Sequence, residues 1–307
     1  MMRVLAIGEC MVEIAPTDTA GEFRLGFAGD TFNTAWYLAL CAPDVSVSYL
    51  TAVGDDAISH NLRAFMQASG IDDRFVQTSP DRTIGLYLIS LDKGERSFSY
   101  WRGQSAAKTL ANDPDRLDAA MAEADVIYFS GITLAILDAE QRAVLLSSLR
   151  DARRQGKAIA FDPNLRPKLW VSSEEMTNAI MQGAAVSDIV LPSFEDEASW
   201  FEDATPEATA NRYLNVGATT IVVKNGEAPV LYAEGSQIGE VPVVPVSNVI
   251  DTTAAGDSFN AGVFAGHAMG MSLHNGITYA CSLSREVVQK KGALVDINPA
   301  ALLVKSV

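Results

Sequence analysis

Short, continuously apolar runs recur along this chain from Ala119 onward, with helix-like segments between them. The runs are residues 126–130, 157–161, 189–191 and 220–223, and the segments 140–155 and 174–184 carry the helical period. Continuous runs mark strands buried on both faces, and helices joining such strands indicate a parallel sheet covered on each side. Ligands of sheets of this kind bind beyond the carboxyl ends of the strands. The residues just after each run are therefore the first candidates for function, and the expected fold class is α/β with a mainly parallel central sheet.

Two stretches break the alternation. Residues 83–102 read as a hairpin turning at Asp92-Lys93-Gly94, and residues 11–28 as a strand–turn–strand unit turning near 16–21. Together they predict a small β-sheet lid inserted at about 10–29 and 83–102 of a single domain spanning 1–307. A chain of 307 residues hides roughly 75% of its unfolded surface on folding, enough for a sizeable core. With 48% hydrophobic and 20% charged residues, it reads as a soluble globular protein.

The net charge of −15 argues against nucleic acid and anionic membranes as partners. An anionic ligand would need locally gathered cations. No apolar run approaches the roughly 20 residues of a membrane helix, and the first residues enter a strand-like run without a cleavage pattern. The expectation is a cytoplasmic location. Cys10, Cys41 and Cys281 form no CxxC pair, and His60, His267 and His274 are scattered. Neither a disulfide framework nor a zinc site is suggested, and Cys10 reads as a small buried thiol.

The strongest chemical signal is Asp251-Thr252-Thr253-Ala254-Ala255-Gly256-Asp257, between an apolar extended segment at 240–250 and a helix expected over about 258–271. Small residues let backbone amides approach a ligand, and a helix N-terminus presents unpaired donors, so this is an anion site. A carboxylate at Asp257 would accept a proton from a hydroxyl held there, which is the chemistry of phosphoryl transfer. The plainer alternative is that Asp257 caps the helix. A second run, Gly26-Phe27-Ala28-Gly29-Asp30-Thr31-Phe32-Asn33, opens another apolar helix. Its residues 28–33 match 255–260 almost residue for residue, which suggests one loop device used twice.

These two runs resemble the signatures of the ribokinase-like (PfkB) sugar kinase family. The resemblance implies a three-layer α/β/α domain with a small lid, using ATP and Mg2+. It implies Asp257 as general base and the amides of Ala254, Ala255 and Gly256 as the anion hole; the family commonly has Gly where Ala254 stands. Gly29, Asp30 and Asn33 would bind the sugar hydroxyls. Lys224-Asn225-Gly226 resembles the family's Lys-x-Gly nucleotide loop, with Pro229 where a second glycine is common. Ser284, in a segment similar to the adenine-side helix, and Ser193, with Ala254 and Gly256, would complete the ATP contacts. Ser193-Phe194-Glu195-Asp196 takes the place of an Asn-x-x-Glu motif that organises magnesium through water. Asp196 is the positional match, and its neighbours Glu195 and Glu197 leave the choice of carboxylate open. Asp251 and Thr253 correspond to positions that hold a monovalent cation, such as K+, in several relatives.

Within the family the chain is most similar to the kinases of 2-keto-3-deoxygluconate. The similarity runs through Ile7-Gly8-Glu9-Cys10-Met11, Gly85-Leu86-Tyr87, Tyr100-Trp101-Arg102 and Phe161-Asp162-Pro163-Asn164-Leu165-Arg166-Pro167. It implies that Tyr87, Tyr100, Arg102 and Arg166 contact an acid sugar. The physical reading agrees: the tyrosines fall on opposite arms of the lid hairpin, and arginines at a cleft of an acidic protein suit a carboxylate. A fructokinase, a keto-deoxygalactonate kinase and a non-catalytic sugar sensor are the alternatives. A dehydrogenase is not, because residues 8–13 lack Gly-x-Gly-x-x-Gly. The lid's edge strands are candidates for pairing two copies, so a homo-oligomer, a dimer or larger, is expected.

Overall fold

Fourteen strands among the described residues divide into two sheets. The computed structural model describes residues 1–19, 21–92, 95–235 and 237–303. In chain order the strands are β1 (Arg3–Ile7), β2 (Met11–Pro16), β3 (Phe23–Ala28), β4 (Ser46–Gly54), β5 (Ile71–Asp72), β6 (Val76–Ser79) and β7 (Leu86–Asp92). They continue as β8 (Glu95–Trp101), β9 (Val126–Ser130), β10 (Ala158–Asp162), β11 (Ile189–Val190), β12 (Thr220–Val223), β13 (Val230–Glu234) and β14 (Gln237–Val241).

The main sheet runs β14-β13-β12-β11-β10-β9-β1-β4-β5, with β6 also on β4. It is parallel from β12 to β5, and β13 and β14 close one edge as an antiparallel pair. Its central strands β1, β9, β10 and β12 are buried on both faces, as their continuous apolar runs require. Val4, Ala6 and Tyr128 face one core, with Phe32, Leu38, Phe264 and Leu283 from the helices over it. Leu5, Ile7, Ile127 and Phe129 face the other, with Leu145, Leu149, Met176 and Ile180. The result is the three-layer α/β/α arrangement.

The lid is a four-stranded sheet in the order β3-β2-β7-β8. The two predicted hairpins are both present, joined by parallel pairing of β2 with β7. Tyr87 and Tyr100 are direct cross-strand partners. Of the turn assigned to Asp92-Lys93-Gly94, Asp92 pairs with Glu95, while Lys93 and Gly94 lie outside the described residues.

Two local expectations are corrected. The extended segment placed at 240–250 is a strand only to Val241, and the chain then crosses the cleft as irregular loop. The helix placed at about 258–271 spans Ala255–Ala268 and so begins three residues earlier. The small residues at 254–256 suggest a loop, yet nothing in their size opposes a helical first turn.

Candidate active site

The helices Asp30–Cys41 and Ala255–Ala268 pack side by side with their N-termini together. Asn33 Nδ2 donates to Asp257 Oδ2 at 2.7 Å, and Thr34 Oγ1 donates to the Asp257 carbonyl at 3.1 Å. On the first helix, Gly29 is the N-cap, and a Cβ there would stand 2.1 Å from the Glu9 carbonyl oxygen. Only glycine fits that approach. The Gly29 amide donates to Asn33 Oδ1 at 3.3 Å, and Asp30 Oδ2 accepts from Asn164 Nδ2 at 2.8 Å. The structure thus brings Gly29, Asp30 and Asn33 to Asp257, as the sequence signatures imply.

The matching hexapeptides do not build the same turn. Gly29 is an extended N-cap, so Asp30 is the first helical residue. At the other helix the N-cap is Ala254, in the left-handed region at φ 59°, and Asp257 is the third helical residue. Asp257 is therefore no cap. Its side chain accepts from another helix, while the first-turn amides of Gly256 and Asp257 have no intrahelical carbonyl to meet. The Ala255 amide turns back to the Thr252 carbonyl at 3.1 Å, so of the three amides expected to form the anion hole, those of Ala254, Ala255 and Gly256, that of Ala255 is already taken. Left-handed alanine costs on the order of 1–2 kcal/mol, a cost that glycine would not carry.

Asp257 is partly buried at the helix start. Burial pushes its carboxyl up to about 8; the nearby Asp30 carboxylate adds to this, and the Asn33 hydrogen bond opposes it. Asp162 raises it further and Lys224 lowers it. A carboxylate so tuned is a competent base near neutrality and above.

Beyond the helix end lies a cleft of about 640 Å³, lined by Ser193, Lys224, Gly226, Ala255, Gly256 and Ser284 among others. Ser193 bridges to Lys224 across the ends of their segments, and Ser284 Oγ donates to the Ala255 carbonyl at 3.0 Å. Ala254 stands behind, packed on the lid's apolar underside of Met11, Tyr87 and Ile89. Five of the six residues assigned to ATP from the sequence therefore border one cleft.

The acidic triplet separates. Glu197 is fully buried and accepts from Arg212 at 2.7 Å and from Tyr213 Oη at 2.9 Å, so it holds two helices together. Glu195 lines the cleft. Asp196 lies 3.6 Å from Arg166, and its carboxyl, raised chiefly by burial, feels Asp162 and Lys224 as well. Asp251 Oδ1 accepts from the Thr253 amide and hydroxyl at 3.0 and 2.7 Å, and its Oδ2 accepts from the Gly292 amide at 2.6 Å. That carboxylate braces the loop.

At the lid, Tyr87 Oη donates to Glu13 Oε2 at 2.6 Å, and its ring lies 5.8 Å from that of the exposed Tyr100. The two arginines are not bare cations. Arg102 Nη2 is paired with Glu9, which is itself buried, and Arg166 lies beside Asp196 with half its side chain exposed. Sequence reasoning did not single out Glu9, Glu13, Asp162, Asn164 or Asn260. The rule about strand ends covers Asp162, the last residue of β10, and Asn164 two residues on, but no motif spacing connects Asn260 to them.

A family model described as pfkB family carbohydrate kinase matches residues 1–301. A 2-dehydro-3-deoxygluconokinase of Haemophilus influenzae is 38% identical over 96% of each chain. A fructokinase of Rhizobium leguminosarum bv. trifolii is more distant, at 30% identity over 85% of this chain and 78% of its own. Among solved structures, a fructokinase of Xylella fastidiosa with bound ATP superposes with a TM-score of 0.83 at 23% identity, over 95% of this chain and 93% of that one.

Proposed function

This chain belongs to the pfkB family of carbohydrate kinases, and from that premise we propose that it phosphorylates 2-keto-3-deoxygluconate (2-dehydro-3-deoxy-D-gluconate) to the 6-phosphate with ATP as donor. The observation that carries the chemistry is the Asp257 carboxylate beside the open amides of Gly256 and Asp257. The full-length likeness to a kinase of this sugar favours it over the fructokinase reading. Residues 1–307 act as one kinase domain closed by the lid.

In this reading Gly29, Asp30 and Asn33 orient the sugar, and Asp257 takes the proton of the hydroxyl that attacks. The open amides and Lys224 offset charge on the transferring phosphoryl group, at the helix end where such charge is favoured. Tyr87, Tyr100, Arg102 and Arg166 hold the acid end. Among the described residues no three side chains are placed to hold a metal alone. That suits magnesium, which keeps waters and binds chiefly through substrate phosphates. Magnesium would supply charge neutralisation on the donor phosphates, and Asp196 would accept from its waters, as the sequence match implies. K+ near Asp251 and Thr253 and a homodimer paired through the lid edges belong to the same proposal, as does action in the cytoplasm.

The test is ADP release measured over keto acids, ketoses, aldoses and nucleosides. The highest kcat/KM is expected on 2-keto-3-deoxygluconate; a preference for fructose overturns the substrate, and no ATP consumption on any sugar leaves the sensor reading. Asp257→Asn should lower kcat by about 10²–10⁴-fold while ATP still binds, the usual span for a general base.

A further inference from the structure

A polar network lies behind the anion loop and joins five segments distant in sequence. Lys224 Nζ, at the end of β12, donates to Asp162 Oδ2 at 2.9 Å and to Asn260 Oδ1 at 3.1 Å. Asn260 Nδ2 donates to the same Asp162 oxygen at 2.6 Å and to Tyr128 Oη at 3.2 Å. Thr34 Oγ1 reaches that Tyr128 hydroxyl at 3.4 Å. Asp162, Asn260, Tyr128 and Thr34 are all buried. Lys224 is not: its side chain keeps 11% of its surface and lines the cleft. Its Nζ would stand 3.7 Å from a Cβ built on Gly256, so the ammonium sits at the mouth of the anion loop.

The arrangement is asymmetric. Asp162 and Asn260 are fixed on a core strand and on the catalytic helix, whereas a lysine stem has free rotors and costs entropy to hold. Holding an ammonium at one point by two acceptors, one charged, removes that freedom before any ligand arrives. Nothing in a purely packed core requires a carboxylate at Asp162, because an ion pair there contributes little over apolar residues of the same shape.

We propose that Asp162, with Asn260, is a positioning residue for phosphoryl transfer: it holds Lys224 Nζ at the anion loop, so that one buried carboxylate governs both the cation and the base. This rests on the reading of Asp257 as base. The charged groups that face Asp257 are Asp30 from the first helix, Asp162 from β10 and Lys224 from β12, with Asn33 donating to it. Asp162 disfavours the charged form of Asp257 and Lys224 favours it. Removing either therefore moves the base in opposite senses.

The experiment is the pH dependence of kcat/KM for the wild type, Asp162→Asn, Lys224→Met and the double variant, with thermal melts as controls for folding. A protonated Asp257 cannot accept the hydroxyl proton, so activity falls as pH drops below the base's pKa. Asp162→Asn removes a repelling charge and should move this acid limb to lower pH. Lys224→Met removes an attracting charge and should move it to higher pH, by about one unit each, the lower end of shifts caused by a close charge. In the double variant the limb should return near its original place, and Lys224→Arg, which keeps the charge, should leave it there.

Limbs that stay put, or that move the same way in both single variants, overturn the proposal. Should Asp162→Asn fail to fold, Asn260→Ala, which takes away the other acceptor of Lys224, should move the limb to higher pH, and an unmoved limb there overturns the proposal. The residual activity of Asp257→Asn should lack the limb altogether. Its persistence there would defeat the assignment of the base instead, which keeps the two failures distinct.

Discussion

Ala254 holds the helix start in a conformation that its side chain opposes. At φ 59° its Cβ crowds the following carbonyl, and glycine would not. Ala254→Gly should therefore raise the unfolding free energy by about 1 kcal/mol, after the greater freedom of unfolded glycine is set against the strain. For a chain of this size that is a rise of roughly 2 °C in melting temperature. A branched residue should do the reverse: Ala254→Val is expected to lower Tm and kcat together, since the amides downstream depend on that turn. Calorimetry on the two variants checks the sign. A lower Tm for the glycine variant would mean that the left-handed turn is not the strained point.

At the scale of elements, the catalytic helix is rich in small residues for two separate reasons. At its N-terminus, Ala255 and Gly256 leave the backbone open to the cleft. Further along, Gly262 and Gly266 serve packing, because the Leu273–Val287 helix crosses directly on them. A Cβ on Gly262 would lie 2.5 Å from Ala280 Cα, and one on Gly266 would lie 2.6 Å from Gly276 Cα. The reverse substitution is free of this: a Cβ on Gly276 meets nothing nearer than 3.7 Å. Gly266→Ala should thus cost about 1–3 kcal/mol through overpacking. Gly276→Ala should be neutral or stabilising by up to about 1 kcal/mol, from helix propensity. Urea melts of the pair separate close packing from propensity; equal effects would contradict the packing account.

At the scale of the whole molecule, the two arginines proposed to grip the acid sugar come one from the end of the lid, Arg102, and one from the body, Arg166. Their surroundings make them unequal as tests. Arg102→Leu strands the buried Glu9 carboxylate, and breaking a buried pair costs about 3–5 kcal/mol, so lost activity there would report on folding as well. Arg166 is half exposed, and Arg166→Leu should leave Tm nearly unchanged. If it grips the sugar's carboxylate, kcat/KM for 2-keto-3-deoxygluconate should fall at least about tenfold, the scale of a charged hydrogen bond. A neutral ketose of similar size should lose much less. Equal losses on both sugars would remove the carboxylate role. Arg166→Lys should also weaken the acid sugar, since an ammonium cannot reproduce the planar fork.

What was legible in the amino-acid order alone is what depends on neighbours in the chain. Continuous apolar runs state that a strand is buried on both faces, and the helices between them make the sheet parallel. The small residues before Asp257 and Gly29 before Asp30 announce helix starts with open amides. Local order also misled where two matching hexapeptides met different surroundings. Gly29 is pressed on the Glu9 carbonyl and stays extended, whereas Ala254 turns left-handed and starts its helix earlier. Only the tertiary structure decided which charges meet. It sent Glu197 to Arg212 and away from the site, gave Arg102 to Glu9, and joined Lys224, Asp162 and Asn260 across separations of 62 and 98 residues. The strength and sense of a charged group's interactions depend on the few ångströms and the burial around it. Neither quantity has a period or a spacing in the chain, so no motif could have announced them.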